Sequence, residues 1–287
     1  MSLYSDSSWN PFISELYISR KTSQKQTSGF APFAERYCIE RLIGRGGYSS
    51  VYLAYDSVRQ ENVALKIAEA PGCAPEIAQV VLGHESRMYA RMRGHPNVLV
   101  VHDLHVVPCN GGSPMLLLSM ELADGSLRDW LELNRNDYQA RVIDGQRYFR
   151  QMLAGVHASH KEGIVHRDLK PENFLFVGGV VKMSDLGASR FLRSFLPAGN
   201  SDDRVPQHGT PPYMSPEMLA NPGIIDKRSD IYALGAIGYE MFSLECRPPA
   251  GGMYTSWNGC RSFSREIFLP ALPERVIRVI FKCLEVV

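Results

Sequence analysis

Apolar and polar residues alternate along the first part of the chain in short runs that are typical of β-strands. Three such runs follow one another over residues 37–68, and two more occupy residues 99–107 and 115–121. Between these groups, apolar residues recur at steps of three and four from Ile77 to Met92, which is one face of a helix. The pattern therefore predicts five strands and one helix in this part.

Beyond Gly125 the apolar residues follow the longer period of amphipathic helices. The segments with this pattern are residues 126–133, 141–163, 230–242 and 273–286. Residues 1–35 are instead rich in Ser, Thr and Gln, and we predict a flexible N-terminal extension there. A short docked piece around Trp9, Phe12 and Leu16 is the alternative for that segment.

Composition and charge argue against several classes of function. The chain has 31 Lys and Arg against 30 Asp and Glu, a formal net charge of +1, which gives no support for a general nucleic-acid or anionic-membrane binder. No apolar run approaches the ~18 residues of a membrane span, and no secretory signal is visible. The six cysteines form no CxxC pair, so we expect reduced thiols in a cytoplasmic protein and neither a disulfide scaffold nor a zinc cluster.

The segment GRGGYSSV, residues 44–51, lies between the first two strand-like runs. Glycines let a backbone approach a ligand and point N–H groups at phosphate oxygens, although a lone glycine-rich stretch favours a plain turn. A dinucleotide fold is excluded because no helix follows the loop. A P-loop is excluded because no Lys-Ser or Lys-Thr pair follows it.

The third run contains VALK, in which Lys66 stands between the apolar residues Leu65 and Ile67. An apolar strand disfavours a charge unless an anion is near, although an edge-strand lysine facing water would explain Lys66 taken alone. Glu85, on the predicted helix, is the expected partner. Glu76 is the rival carboxylate, but a capping role at the start of the helix explains it.

The most informative stretch is HRDLKPEN, residues 166–173, followed by MSDLG, residues 183–187. Asp168 and Lys170 stand two apart, which places an acceptor and a cation on the same side of an extended backbone. Asn173 and Asp185 offer oxygen ligands of the kind that Mg2+ takes. A capping Asn, a solvated Asp and a surface Lys are each plausible singly, but their joint spacing favours a functional site.

Together these motifs resemble those of a protein kinase of the serine/threonine type. The segments that match, in order, are GRGGYSSV, VALK, HPN at 95–97, HRDLKPEN, DLG, GTPPYMSPE at 209–217 and SDIYALG at 229–235. The resemblance to this eukaryotic-type (Hanks-type) catalytic domain implies an α+β, bilobal fold. A small five-stranded antiparallel sheet with one helix would precede a larger, mostly helical lobe.

The resemblance also implies domain boundaries. The expected segments are a kinase domain at 36–287, divided into an N-lobe at 36–120, a hinge at 121–125 and a C-lobe at 126–287. In the family, a further helix and an arginine follow the last helix, and that arginine pairs with the glutamate that is Glu217 here. We therefore expect either that the C-lobe is truncated at its C-terminal end, or that Glu217 pairs with Arg247 or Arg275.

The catalytic roles follow from the same resemblance, which implies ATP-dependent phosphoryl transfer to Ser or Thr hydroxyls of proteins. Asp168 would be the catalytic base, and Lys170 would neutralise the transferring group. Lys66, held by Glu85, would contact the α- and β-phosphates. The metal, Mg2+ or alternatively Mn2+, would be held by Asn173 and Asp185.

The resemblance places the adenine between the lobes, hydrogen-bonded to the backbone of Glu121 and Ala123. The complete set of residues implied to bind the nucleotide is Ile43, Gly44, Gly46, Gly47, Tyr48, Ser49, Val51, Ala64, Lys66, Met120, Glu121, Ala123 and Leu175. Ser49 stands where the family has its third glycine. Leu186 replaces the usual Phe of the metal-binding triplet, and Leu can still fill an apolar slot.

The implied partner is a protein substrate, with no nucleic acid and no membrane span. A catalytically weak pseudokinase or nucleotide-binding scaffold is the alternative, and a small-molecule kinase is a third hypothesis. The candidate activating phosphosites are Ser189, Ser194 and Ser201. Asp202 and Asp203 could instead mimic a phosphate and pair with Arg167.

Overall fold

The fold was analysed in a computed structural model. The structure describes residues 36–45, 49–68, 75–109, 112–186, 210–220, 226–244 and 268–285. The chain divides into two compact units. The first unit contains the residues up to Ser86 together with Val101–Leu122, and the second contains Arg87–Val100 and the residues from Ala123 onward.

The first unit is built on a five-stranded antiparallel sheet with the strand order β1-β2-β3-β5-β4. Its strands are β1 (Tyr37–Arg45), β2 (Ser49–Asp56), β3 (Glu61–Ala68), β4 (Val101–Cys109) and β5 (Gly112–Glu121). Helix α1 follows β3 in the chain and spans Pro75–Arg91. The five predicted strands and the predicted helix are all present.

The central strand β3 is buried on both of its faces. Val63, Leu65 and Ile67 belong to the apolar core on one face of the sheet. Because successive side chains of a strand alternate between faces, Ala64 and Lys66 point to the other face. A continuously buried strand thus carries a lysine, which requires a partner for the charge.

The second unit is mainly helical. Its helices are α2 (Leu127–Leu133), α3 (Tyr138–Lys161), α4 (Pro216–Ala220), α5 (Lys227–Phe242) and α6 (Glu274–Leu284). It also contains a sheet that the sequence pattern does not predict, with the order β6-β7-β8. These strands, β6 (Gly125–Ser126), β7 (Phe174–Val177) and β8 (Val180–Met183), are too short to show a clear period.

Helix α5 is the centre of the second unit, and nearly all of its residues are buried. Two glycines allow its neighbours to approach closely. A Cβ at Gly235 would lie 2.9 Å from the Leu284 Cγ, and one at Gly238 would lie 3.0 Å from the Phe149 ring. Helices α3 and α6 therefore pack directly against the backbone of α5.

A buried arginine of α3 donates hydrogen bonds to the backbone carbonyl groups at the C-terminal end of α5. The Arg141 guanidinium donates hydrogen bonds to the carbonyl oxygens of Glu240 (2.9 Å), Met241 (3.0 Å) and Ser243 (2.7 Å). The last carbonyls of a helix have no partner within the helix, and a cation is favourable beside them. Arg141 thereby anchors α5 to α3.

The predicted α+β fold, with a five-stranded antiparallel sheet and one helix before a mostly helical part, is confirmed. No helix among the described residues is long and apolar enough to cross a membrane. Several predictions lie outside the described residues. They concern the extension at 1–35, the candidate phosphosites Ser189, Ser194 and Ser201, the acids Asp202 and Asp203, and Arg247.

Candidate active site

In the first unit, the predicted pair of Lys66 and Glu85 is formed. The Lys66 Nζ lies 2.8 Å from both carboxylate oxygens of Glu85, which reaches it from α1. The side chains are only 8% and 1% exposed. The edge-strand explanation for Lys66 is therefore wrong, because β3 lies between β2 and β5. The side chain of the rival Glu76 lies outside the described residues.

The strand register places four of the predicted nucleotide-binding residues on the face of the sheet that carries Lys66. Val51 is directly opposite Lys66, and Ala64 is directly opposite Met120. Because Ala64 and Lys66 are two residues apart, all four side chains point to the same face. Ala64 and Met120 are buried, so this face offers an apolar surface beside one buried ion pair.

The other predicted nucleotide-binding residues are more scattered. Ile43 is 38% exposed, Gly44 pairs with Val51, and Ser49 pairs with Ala68 at the start of β2. Glu121 ends β5 in the first unit. Ala123 and Leu175 belong to the second unit and are half-buried. The remaining members of the set, Gly46, Gly47 and Tyr48, lie outside the described residues.

In the second unit, the Asp168 carboxylate lies between two polar side chains. The Lys170 Nζ is 3.0 Å from one carboxylate oxygen, and the Thr210 hydroxyl donates to the other at 3.0 Å. Asp168 and Lys170 are each more than a quarter exposed, so an external group can reach them. The expectation that Asp168 and Lys170 lie on the same side of the loop is met in this geometry, and Thr210 is an additional member.

The two predicted metal ligands meet because a tight hairpin joins them. Strands β7 and β8 pair from Phe174↔Met183 to Val177↔Val180. Both residues of the connecting turn, Gly178 and Gly179, have positive φ angles (56° and 76°), as the favoured two-residue hairpin turns require. Asn173 therefore precedes β7 at the same end of the hairpin at which Asp185 follows β8.

Backbone contacts fix these two ligands. The Asn173 side-chain amide donates to the Asp168 carbonyl oxygen at 2.8 Å, which leaves its amide oxygen as the group that can coordinate a cation. The Ser184 N–H donates to the Asn173 carbonyl oxygen at 2.8 Å, and the Asp185 N–H donates to the Tyr89 hydroxyl at 2.9 Å. Asp185 has a φ of 55°, a conformation that is costly for a residue other than glycine.

The donor set fits a metal that arrives together with a polyphosphate. An amide oxygen and a carboxylate are hard ligands that suit Mg2+. Among the described residues there is no group of three or more His, Cys, Asp or Glu that could hold a metal alone. Mg2+ commonly takes one or two protein ligands and completes its shell with phosphate oxygens and water.

His166 connects the segment that carries Asp168 with the segment that carries Asp185. It is not among the site residues predicted from the sequence. Its Nε2 lies 2.7 Å from the Ser184 carbonyl oxygen and therefore carries the proton, while its Nδ1 accepts from the Asp168 N–H at 3.3 Å. The ring is fully buried. His166 thus ties the segment before Asp185 to the segment that carries Asp168.

A second missed residue, Asp230 on α5, holds the backbone of the same loop. Its carboxylate accepts hydrogen bonds from the N–H groups of His166 (2.9 Å) and Arg167 (2.8 Å), and His160 Nε2 lies 2.7 Å away. Asp230 is 1% exposed. Its segment, SDIYALG, matches the family pattern, but the pattern alone does not show which groups Asp230 contacts.

Two of the departures from the family pattern concern Leu186 and the partner of Glu217. Leu186 is completely buried, as expected for a residue that fills an apolar slot. The Glu217 carboxylate accepts a hydrogen bond from the Ser229 hydroxyl at 3.0 Å. No ion pair joins Glu217 to Arg275 within the described part of the chain, and the alternative partner Arg247 lies outside it.

Comparison with known proteins relates this sequence to one family. The model of the family described as "Protein kinase domain" matches residues 37–262. The chain is 29% identical to the dual specificity protein kinase Ttk of Danio rerio, over 87% of this chain and 25% of that protein. It is 34% identical to the probable serine/threonine-protein kinase PknB of Bifidobacterium longum, over 76% and 31%. Identity to the serine/threonine-protein kinase Pkn1 of Myxococcus xanthus is 32%, over 71% and 28%.

The chain spans about a quarter to a third of the length of these curated relatives. The family match, in contrast, covers most of the chain and contains every predicted catalytic and metal-binding residue. This chain therefore belongs to the protein kinase family.

Proposed function

We propose that the chain transfers the γ-phosphoryl group of ATP to Ser or Thr hydroxyls of protein substrates, with Asp168 as the catalytic base. Membership of the protein kinase family supports phosphoryl transfer to proteins. The observation that carries the finer assignment is the Asp168 carboxylate, which is accessible and lies between the Lys170 ammonium and the Thr210 hydroxyl.

The proposed reaction uses these groups as follows. The substrate hydroxyl gives its proton to Asp168, and its oxygen forms a bond to the γ-phosphorus. The bond between that phosphorus and the oxygen bridging to the β-phosphate breaks, and ADP leaves. Lys170 stabilises the charge on the transferring group, which is the largest need of a loose phosphoryl-transfer transition state.

On the nucleotide side, we propose that Lys66 binds the α- and β-phosphates and that Glu85 keeps its ammonium extended. Asn173 and Asp185 would hold Mg2+. The ion, when bound, neutralises phosphate charge. The apolar face around Val51, Ala64 and Met120, together with the backbone of Glu121 and Ala123, would bind the adenine. The domain boundaries at 36–287, with lobes at 36–120 and 126–287, also stay a proposal.

The test is transfer of radiolabelled phosphate from ATP to a protein or peptide acceptor. Asp168→Asn is expected to lower the rate by about 10²- to 10⁴-fold, the usual contribution of a general base. Lys66→Met is expected to lower it strongly through the affinity for ATP. The matched controls are Asp144→Asn and Lys282→Met, which change exposed residues engaged in surface ion pairs. Equal transfer by all five proteins would refute the assignment.

The same assay addresses the acceptor and the alternative function. Because one relative is named a dual specificity kinase, peptides that differ only in Ser, Thr or Tyr should be compared, and we expect transfer to Ser and Thr. A thermal shift with Mg-ATP should accompany the assay. Strong stabilisation without any transfer would favour a nucleotide-binding scaffold.

A further inference from the structure

The hydroxyl of Tyr89 contacts the backbone of Asp185, one of the two predicted metal ligands. The Asp185 N–H donates a hydrogen bond to the Tyr89 oxygen at 2.9 Å, across 96 residues of chain. Tyr89 lies near the C-terminal end of α1, in the part of that helix that belongs to the second unit, and is buried. The Asp185 side chain is exposed. A buried hydroxyl thus meets the main chain of a residue whose carboxylate an external group can reach.

Asp185 adopts a backbone conformation that needs support from its surroundings. Its φ of 55° lies in the left-handed region, where a residue other than glycine is uncommon and pays a cost in free energy. Aspartate visits this region more readily than most residues, but not as its preferred conformation. Such a conformation persists only where the surrounding structure holds it. The contacts that hold Asp185 therefore decide how often it is ready to bind a metal.

The residues on both sides of Asp185 are fixed. The Ser184 N–H and hydroxyl both donate to the Asn173 carbonyl oxygen, at 2.8 Å and 3.1 Å. The Ser184 carbonyl oxygen lies 2.7 Å from His166 Nε2. On the other side, Leu186 is completely buried. Between these anchors, the torsion angles of Asp185 itself remain to be set.

Tyr89 and His166 bind the two ends of one peptide group. The Ser184 carbonyl and the Asp185 N–H belong to the same planar unit, and they meet His166 Nε2 and the Tyr89 hydroxyl respectively. Turning this plane over would give Asp185 an ordinary negative φ, but it would break both hydrogen bonds. A part-buried N–H that loses its acceptor is costly. The two side chains together therefore maintain the strained φ.

We propose that Tyr89 is a positioning residue for metal binding, because its hydroxyl keeps the Ser184–Asp185 peptide in the orientation from which the Asp185 carboxylate binds Mg2+. This inference rests on the proposed function, since Asp185 is a metal ligand only in that proposal. It places control of the affinity for the ion in a residue of α1, outside the HRDLKPEN and MSDLG segments. The proton transfer at Asp168 is not part of this role.

The first experiment measures metal binding without turnover. Mn2+ is titrated into the protein in the presence of ADP, and electron paramagnetic resonance reports the free ion. Tyr89→Phe keeps the ring and removes the hydroxyl, so the binding conformation loses the acceptor of the Asp185 N–H. Because a smaller competent fraction raises the apparent Kd in proportion, the Kd for Mn2+ is expected to rise about tenfold, the equivalent of one hydrogen bond.

The second measurement separates positioning from a general loss of structure. In the phosphoryl-transfer assay, Tyr89→Phe should need about tenfold more Mg2+ for its half-maximal rate. At saturating Mg2+, which refills the competent conformation, kcat should return to within about threefold of the wild type. A merely structural role would instead lower the rate by the same factor at every Mg2+ concentration.

Tyr148→Phe is the matched control. Tyr148 is also a buried tyrosine of the second unit, and its hydroxyl accepts a hydrogen bond from Arg147 at 3.0 Å, on α3. Its Kd for Mn2+ should equal that of the wild type. Tyr89→Met is a second variant without the hydroxyl, and its flexible side chain fills irregular space, so it should raise the Kd as well. Urea unfolding without metal checks that the variants are folded.

A double variant tests whether Tyr89 acts through Asp185. Asp185→Asn alone should weaken Mn2+ binding, because it removes the charge of the ligand. If the hydroxyl of Tyr89 serves only to position that ligand, adding Tyr89→Phe should change the Kd by about twofold or less, since the two changes then affect one interaction.

Two results would overturn the proposal. One is a Kd for Mn2+ within about twofold of the wild type in both folded Tyr89 variants. The other is an effect of Tyr89→Phe that is equally large in the Asp185→Asn background. Failure of the proposed function would look different, since the wild type would transfer no phosphate at any Mg2+ concentration while Mn2+ binding still reported on Tyr89. A wild type that binds no Mn2+ with ADP would overturn both.

Discussion

The Lys66–Glu85 pair of the first unit and the Asp230 contacts of the second unit both bury a carboxylate, but they use different partners. Glu85 meets a side chain, the Lys66 ammonium, at 2.8 Å. Asp230 meets mainly backbone, the N–H groups of His166 and Arg167. A charged side chain that acts as a partner can be recognised in the sequence, whereas a backbone N–H partner cannot.

The two arrangements also differ in whether substitutions can replace all of the polar groups that take part. An ion pair between side chains can be replaced by a pair of apolar residues, and such replacements are often neutral or stabilising. Backbone N–H groups remain whatever residues are substituted, and a buried N–H without an acceptor is costly. The first arrangement should therefore be replaceable without loss of stability, and the second should not.

Asp230→Ala is expected to have the largest effect. It removes the acceptor of two buried N–H groups and the partner of His160, so the free energy of unfolding should fall by about 3–5 kcal/mol. Displacement of the Asp168 loop should also lower kcat by roughly 10²-fold or more. Chemical denaturation and the phosphoryl-transfer assay measure the two effects.

The control for that prediction lies on the same helix. Asp226 caps the N-terminus of α5 from an exposed position, so Asp226→Ala should cost about 1 kcal/mol. Equal losses of stability for the two variants would contradict the special role of Asp230.

Glu85→Leu is expected to have the next effect, because it leaves the Lys66 ammonium buried without its carboxylate. The free energy of unfolding should fall by about 3–5 kcal/mol. In Lys66→Met/Glu85→Leu, stability should return to within about 1 kcal/mol of the wild type, while phosphoryl transfer stays lost. If the double variant is as unstable as Glu85→Leu, the Lys66–Glu85 ion pair cannot be replaced by apolar residues without loss of stability.

Arg141→Met is expected to cost about 3 kcal/mol of unfolding free energy, because it leaves the carbonyl groups at the end of α5 without their charged donor. This change tests whether backbone partners matter in general or only beside the catalytic loop. Arg147→Met is the exposed control on the same helix and should change stability by about 0.5 kcal/mol or less. Thermal or urea unfolding of both variants decides the matter.

His105→Gln is expected to have the smallest effect, and one that depends on pH. Burial, and then the Arg36 guanidinium, hold the pKa of His105 below its usual value of 6.5. Its ring nitrogen lies 2.8 Å from the Tyr37 hydroxyl. The folded state thus binds fewer protons than the unfolded state, so this stability is present above pH 6.5 and is lost as the pH falls toward the folded-state pKa.

The measurement is urea unfolding at pH 7.5 and pH 5.5. The wild type should lose more stability between these values than His105→Gln, whose amide oxygen can still accept from Tyr37. Part of the loss should persist in the variant, because burial, followed by Arg59, also lowers the pKa of His102. An identical loss in both proteins would exclude His105 as a source of the pH dependence.

The predicted fold and the observed fold agree where periodicity is long enough to read. Strand β3 is a continuous apolar run from Val63 onward apart from Lys66, helix α3 carries a clear helical period, and both elements are present. The β7–β8 hairpin has only four residues in each strand and is not among the predicted elements. The Gly178–Gly179 pair is nevertheless a typical signal of a hairpin turn. That hairpin brings Asn173 and Asp185 together.

By itself, the sequence determined, through its motifs, the residues that we propose carry the chemistry. Asp168, Lys170 and Asn173 lie within one short segment, and Lys66 stands out because a charge in an apolar strand needs a partner. Local periodicity and spacing act over a few residues, so they can be read without a structure.

Only the tertiary structure decided which groups hold these residues and their loops in position. Asp230 contacts a loop that lies 63 and 64 residues earlier, and Arg128 meets Glu240 across 112 residues. Such carboxylates acquire partners only when packing brings distant segments together and removes water from them, and the backbone N–H groups that Asp230 binds cannot be recognised in the sequence.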